Sequence, residues 1–213
     1  MKTIKVISLL DINDGHLATK SLKNYNQVFL QQGSIDGACG PYTLLMALLI
    51  LGLIDYDQAT DMWWEKKSTR FGKLIKSMQT HDTLFQSGTD LEDLKHLVDN
   101  SFKKNIDIAL SESKGKQVVN FVLEELKSNK PVIIGINGKE LAHWMLAIGF
   151  EEDEHGQISK IFFLDPSQPN KSNYWIASIN IKDTYHGRYP YQWVDQSEET
   201  LISFEHAMSL GSK

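Results

Sequence analysis

Gln31-Gln32-Gly33-Ser34-Ile35-Asp36-Gly37-Ala38-Cys39-Gly40-Pro41 runs directly into Tyr42-Thr43-Leu44-Leu45-Met46-Ala47-Leu48-Leu49-Ile50-Leu51. The first part is a polar, glycine-bearing loop, and the second is apolar on nearly every face. A helix of that kind has no side to show to water, so it is expected to run through the middle of the fold. Pro41 suits its first turn, where a missing N–H costs nothing. At the junction stands Cys39, the only cysteine in the chain. Unsatisfied backbone N–H groups and the positive end of the helix dipole favour negative charge at such a position, and the thiolate is the nucleophilic form of cysteine. A cysteine serving only as a small buried hydrophobe would more naturally fall inside the apolar run, where Met46 stands. Gly37, Ala38 and Gly40 are small and leave room for a carbonyl group to approach the sulfur.

Outward from this core helix the pattern divides. On the N-terminal side there is a short strand over Ile4 to Leu9, then a polar approach through Asn24-Tyr25-Asn26-Gln27. On the C-terminal side, Asp55 to Lys66 reads as a helix carrying Trp63-Trp64. Thr89 to Val98 and Lys116 to Ser128 show apolar spacings of three and four, again helical. Beyond Pro131 the period shortens. Val132-Ile133-Ile134-Gly135-Ile136, Trp144 to Phe150 and Ile158 to Leu164 are short runs of β-branched and aromatic residues, separated by Asn137-Gly138 and by a charged turn. Asn173 to Ile181 and Thr200 to Phe204 add further strands. Helices first and strands after make an α+β chain: a helical N-terminal half, with its central buried helix packed on a C-terminal antiparallel sheet. Repeats and low-complexity linkers are lacking, so residues 1–213 are expected to form a single domain.

His143 opens the second strand and Asp165, in Leu164-Asp165-Pro166, closes the third. If the two strands pair through the Glu151 to Gln157 turn, their outer ends return to the same edge. Asp165 then falls beside His143, where it can hold the imidazole in one tautomer. Taken alone, a histidine at a strand end is more often packed there without chemistry. Gln32, seven positions before Cys39, is a candidate donor to an oxyanion, with Gln31 as its neighbouring alternative. The candidate site residues are therefore Cys39, His143, Asp165 and Gln32, with Gly37, Ala38 and Trp144 against the substrate. His16, His81, His96, His155, His186 and His206 are scattered through polar segments without a two-histidine helical pair, so neither a metal site nor a cofactor is expected. Asn137 precedes His143 in an Asn-Gly dipeptide and reads as a turn residue. The aromatic segment Tyr185 to Trp193 reads as a late loop packed onto the domain.

Charge and composition narrow the classes. With 22 Lys+Arg against 27 Asp+Glu the formal charge is −5, and a nucleic-acid partner, which needs a basic face, is not expected. Leu44 to Ile54 is too short to span a bilayer, so membrane insertion is not expected either. Val6 to Leu10 is too short for a secretory core and stops at Asp11. A lone cysteine excludes an internal disulfide, which is compatible with the cytosol or with export without a cleaved signal. Glu151-Glu152-Asp153-Glu154 reads as a solvated turn.

Taken together, Gln32, Ala38-Cys39-Gly40-Pro41 before an apolar helix, Pro131 to Ile134, His143-Trp144 with Gly149-Phe150, and Leu164-Asp165-Pro166 resemble the papain-like cysteine peptidase superfamily. Within it they are most similar to the bacterial double-glycine leader peptidases and their stand-alone relatives. The resemblance covers residues 30 to 168. It implies a Cys–His–Asp triad at Cys39, His143 and Asp165 with Gln32 in the oxyanion hole, although Gln32 stands one residue further from Cys39 than the family pattern has it. Three functions follow: hydrolysis of a peptide or isopeptide bond in a peptide or protein substrate; the same triad used for glutamine deamidation, transglutamination or cell-wall amide cleavage, including in a secreted effector; and a peptide-binding module without activity. Retention of all three triad residue types argues against the last.

Overall fold

The computed structural model describes residues 1–20, 26–33, 37–61, 65–80, 88–169, 174–195 and 199–213. Trp63-Trp64, His81, Asn24-Tyr25 and Ser34 to Asp36 lie outside them. In chain order the elements are β1 (Lys2–Val6), β2 (Leu10–Asn13), β3 (His16–Thr19), β4 (Asn26–Gln27), α1 (Cys39–Ile50), α2 (Tyr56–Thr60), α3 (Arg70–Thr80) and α4 (Leu91–Phe102). There follow β5 (Ile106–Ser111), α5 (Lys116–Lys127), β6 (Val132–Asn137), β7 (Ala142–Asp153), β8 (Ile158–Leu164), β9 (Ala177–Asn180), β10 (Tyr191–Val194) and β11 (Glu199–Ser212).

The apolar run forms α1, and every one of its residues except Tyr42 is buried. It packs on β6 and β7 on one side and on α4 on the other. The helix α4 begins in a reciprocal cap: the Asp90 carboxylate accepts from the Asp93 N–H at 2.8 Å, and Asp93 returns the bond to the Asp90 N–H at 3.1 Å. Its buried positions, Leu91, Leu94, Leu97, Val98 and Phe102, keep the spacing of one helical face.

Strands β7, β6, β11, β10, β9 and β8 pair in that order, and β8 returns to β7, so six antiparallel strands close on themselves. The inner side of the ring is filled by apolar residues such as Phe163, Phe204 and Ile179, none of them exposed. Two strands attach outside the ring, β5 to β11 and β1 to β7. Strands β6 and β1 lie end to end along one edge of β7. Val132 pairs with Ala147, the Ile7 N–H reaches the Ile148 carbonyl at 2.9 Å, and Val6 pairs with Gly149.

Several expectations need correction. Strands precede the helices as well as follow them: β1 to β4 all come before α1, and β5 separates α4 from α5. The N-terminal half is thus mixed rather than helical. Of these, β1 overlaps the strand expected over Ile4 to Leu9 but begins and ends earlier, while β2 to β5 escape local patterning because each is short and takes its stability from partners distant in sequence. The helix expected over Asp55 to Lys66 is only the five residues of α2 among the described residues, whereas α3 carries no expectation at all. The acidic run Glu151 to Glu154 is not a solvated turn. Its first three residues continue β7 opposite β1, where Lys2 Nζ meets Glu151 Oε1 at 2.7 Å, Lys5 pairs with Glu152, and the N-terminal amine meets Glu154 at 3.0 Å. The late aromatic segment is in part a strand of the ring, with Tyr191 and Trp193 buried on β10.

Gly149 is what lets β1 lie against β7, because a Cβ there would overlap the Lys5 carbonyl oxygen. Gly149→Ala is expected to cost about 1–3 kcal/mol. It should also strip hydrogen-exchange protection from the β1 amides while leaving that of β6 intact, as native-state exchange would show.

Candidate active site

Cys39 is the first residue of α1, and Ala38 caps the helix without any side-chain hydrogen bond. Among the described residues no side-chain acceptor closes the helix at this cap, and acidic residues are missing from its first turn. Within the helix, the buried Thr43 hydroxyl donates to the Cys39 carbonyl at 2.6 Å and also lies 3.3 Å from the Trp144 carbonyl. That hydroxyl joins the helix bearing Cys39 to the strand bearing His143.

His143 lies near the start of β7 opposite Ile136 of β6, and is 8% exposed. The pairing of β7 with β8, through Leu146 with Leu164, carries Asp165 back to the same end. His143 Nε2 and Asp165 Oδ1 are 2.8 Å apart. With Nε2 engaged in this way, Nδ1 is the nitrogen left for Cys39. Burial alone would disfavour a charged imidazole. Hydrogen bonds with Asp165 and Cys39, and the charges of both, outweigh it and push the His143 pKa up to about 10. Asp165 is wholly buried, which raises the pKa of a carboxyl group. The His143 bond and charge, with the Ser167 hydroxyl and N–H, more than offset this and hold it below the ordinary 3.8.

In front of Cys39 and His143 opens a cleft of about 680 Å³. One wall is Gly37, Cys39 and, at the head of α4, Gly88 to Leu91 with Asp93; the other is Gly135 to Asn137, Ala142 to Trp144, Glu205 and His206. The indole N–H of Trp144 donates to the Thr89 carbonyl at 2.7 Å, which ties the two walls at their base. Its ring lies over Gly135, where a Cβ would come within 3.1 Å of it. The structure thus brings Cys39, His143, Asp165, Gly37 and Trp144 together, but Ala38 is wholly buried and is not among the residues lining the cleft. The room at Gly40 is already taken, since a Cβ there would meet Thr89 at 2.9 Å. Gln32 is half-buried, its N–H bonded at 2.8 Å to the carbonyl of Pro166, next to Asp165; its Oε1 is buried without a partner among the described residues. Gln31 is exposed and faces a separate pocket with His16, Tyr56 and Pro169.

Sequence reasoning passed over several residues at the site. Thr43 and Ser167 look like ordinary hydroxyls until their partners are known. Asn137, expected as a turn residue, instead ends β6 and lines the cleft, as does His206, just past a bulge where β11 slips against β6 between Phe204 and His206. A bulge leaves no mark in local periodicity. Among the described residues, clusters of His, Cys, Asp or Glu able to hold a metal are absent, and the helices include none long and apolar enough to cross a membrane.

A buried helix with a cysteine at its head, packed on a closed antiparallel sheet that supplies a histidine and an aspartate, is the arrangement of the papain-like superfamily. The chain belongs to the Peptidase_C39-like family, which it matches over residues 19–196, and is thus a cysteine peptidase-like protein. Curated proteins offer no sequence match. Among solved structures, the crystal structure of UfSP from C. elegans aligns with a TM-score of 0.44 and 16% identity, over 91% of this chain and 34% of that one. The chain therefore spans about a third of the length of that protein.

The pKa shifts set a pH window. The raised His143 pKa contributes stability that is fully present below 6.5 and is lost as pH rises toward about 10. The lowered Asp165 pKa contributes stability present above 3.8 and lost as pH falls further. Urea unfolding of wild type and Asp165→Asn should accordingly differ most between about pH 4 and 6.5, with the gap narrowing on either side. A gap that stays constant from pH 3 to 10 would contradict the pairing.

Proposed function

We propose that this chain is a cysteine peptidase that hydrolyses a peptide or isopeptide bond through an acyl-enzyme, with residues 1–213 as one catalytic unit. The observation that carries the reading is the 2.8 Å bond from His143 Nε2 to Asp165 Oδ1, which leaves the other ring nitrogen for the sulfur at the head of α1. In this reading Cys39 is the nucleophile, His143 carries the proton and Asp165 orients the ring. The Cys39 thiolate attacks the carbonyl carbon, a C–S bond forms, and the carbonyl electrons move onto oxygen. The oxyanion is held by the Cys39 N–H and the Gln32 amide. Collapse breaks the C–N bond, and the amine leaves with the proton from His143. Water, giving its proton to His143, then adds to the thioester and displaces the thiolate.

Family membership favours a peptide or protein substrate, and Gly37 and Trp144 line the same cleft as Cys39, where they would receive it. Within the family, the run of motifs from Gln32 to Pro166 sets the chain beside the double-glycine leader peptidases and their stand-alone relatives.

Iodoacetamide is expected to label Cys39 stoichiometrically near neutral pH, faster than it labels a free thiol. In a peptide library read by mass spectrometry, wild type should produce chain cleavage, and Cys39→Ala should fold normally and produce none. Asp165→Asn should lower kcat by about 10²–10⁴-fold. Glutamine mass changes of one dalton without cleavage would replace peptidase by deamidase, and sluggish labelling of native Cys39 would leave it a packing residue.

A further inference from the structure

We propose that Ser167 is a positioning residue of this site, fixing the rotation of the Asp165 carboxylate and through it the aim of the His143 ring. The inference rests on the reading of Cys39, His143 and Asp165 given above. Asp165 Oδ1 accepts three hydrogen bonds, from His143 Nε2 at 2.8 Å, the Ser167 N–H at 2.9 Å and the Ser167 hydroxyl at 2.7 Å. Its other oxygen, Oδ2, is buried and has no partner among the described residues. A carboxylate turns readily about its last bond, and its two oxygens are chemically alike. Both donors of Ser167 fall on the same oxygen as the imidazole, so they select one rotation and hold it.

The residues on either side of the serine are braced. Gln32 donates to the Pro166 carbonyl at 2.8 Å, and the Gln168 side chain donates to Asp195 Oδ2 at 2.9 Å. Ser167 is itself exposed, yet its hydroxyl is turned inward to a carboxylate that solvent does not reach. A surface serine without such a task would spend its hydroxyl on water.

Ser167→Ala removes the side-chain donor and keeps the backbone one, whereas Ser167→Thr keeps both. Two readouts separate positioning from mere folding: the downfield proton resonance of the His143 Nε2–H, and the rate of Cys39 alkylation by iodoacetamide. Ser167→Ala is expected to slow alkylation at neutral pH by about tenfold and to broaden or abolish the resonance, with little change in the thermal midpoint. Ser167→Thr should restore both. In an Asp165→Asn background, Ser167→Ala should have no further effect, because the serine acts only through that carboxylate. Alkylation at the wild-type rate with the resonance intact would overturn the proposal, and so would an equal loss in the Asp165→Asn background. The resonance is read without turnover, so a failed hydrolase reading leaves this test decisive.

Discussion

The structure depends first on the burial of α1. A helix with almost no polar side chain can lie among other elements because its backbone satisfies itself, except at its ends. At the C-terminal end, Leu51, Gly52 and Leu53 turn back to bond the carbonyls of Ala47, Leu49 and Leu48. At the N-terminal end Ala38 makes no side-chain cap bond, and Cys39 lines the cleft. Hydrophobic burial thus delivers a helix N-terminus and a sulfur at one spot. Whatever negative charge develops there meets groups already oriented to receive it.

The second requirement is that a histidine and an aspartate share a nearly dry pocket. Either alone would be costly there, since a buried charge without a partner is expensive. Held together and joined to Ser167 and the sulfur, each stabilises the charged form of the other. The Thr43 hydroxyl spanning the Cys39 and Trp144 carbonyls keeps the two halves of the arrangement from drifting apart. The sheet fixes the imidazole and carboxylate, the helix fixes the sulfur, and one threonine couples helix to sheet.

Much of this was legible in the sequence where burial acts locally. A run apolar on all sides announces α1, and Val132 to Ile136, Trp144 to Phe150 and Ile158 to Leu164 announce β6, β7 and β8. Hairpin geometry then puts Asp165 within reach of His143 without any knowledge of the rest. What stayed hidden is non-local. The bounds of β1, expected over Ile4 to Leu9, are Lys2 to Val6 instead, because β7 overruns β6 and offers a further length of edge there. Strand β11 reads as five residues but runs for fourteen, its bulge and small residues masking the alternation. His206 and Glu205 reach the cleft only through that bulge, and Ser167 matters only because a buried oxygen lies two residues before it.

The closure of six strands into a ring has a bearing on self-association. A ring exposes no backbone rim along its circumference, so among the described residues of the larger sheet the outer sides of β1 and β5 are the places where a second chain could add a strand. At β1 the approach is guarded by Lys2 and Lys5, both more than half exposed at their side chains and already turned toward acidic partners. An incoming strand would have to displace these ammonium groups while docking beside them. The same lysines that tie the N-terminal strand to its neighbour therefore also discourage templated stacking of copies.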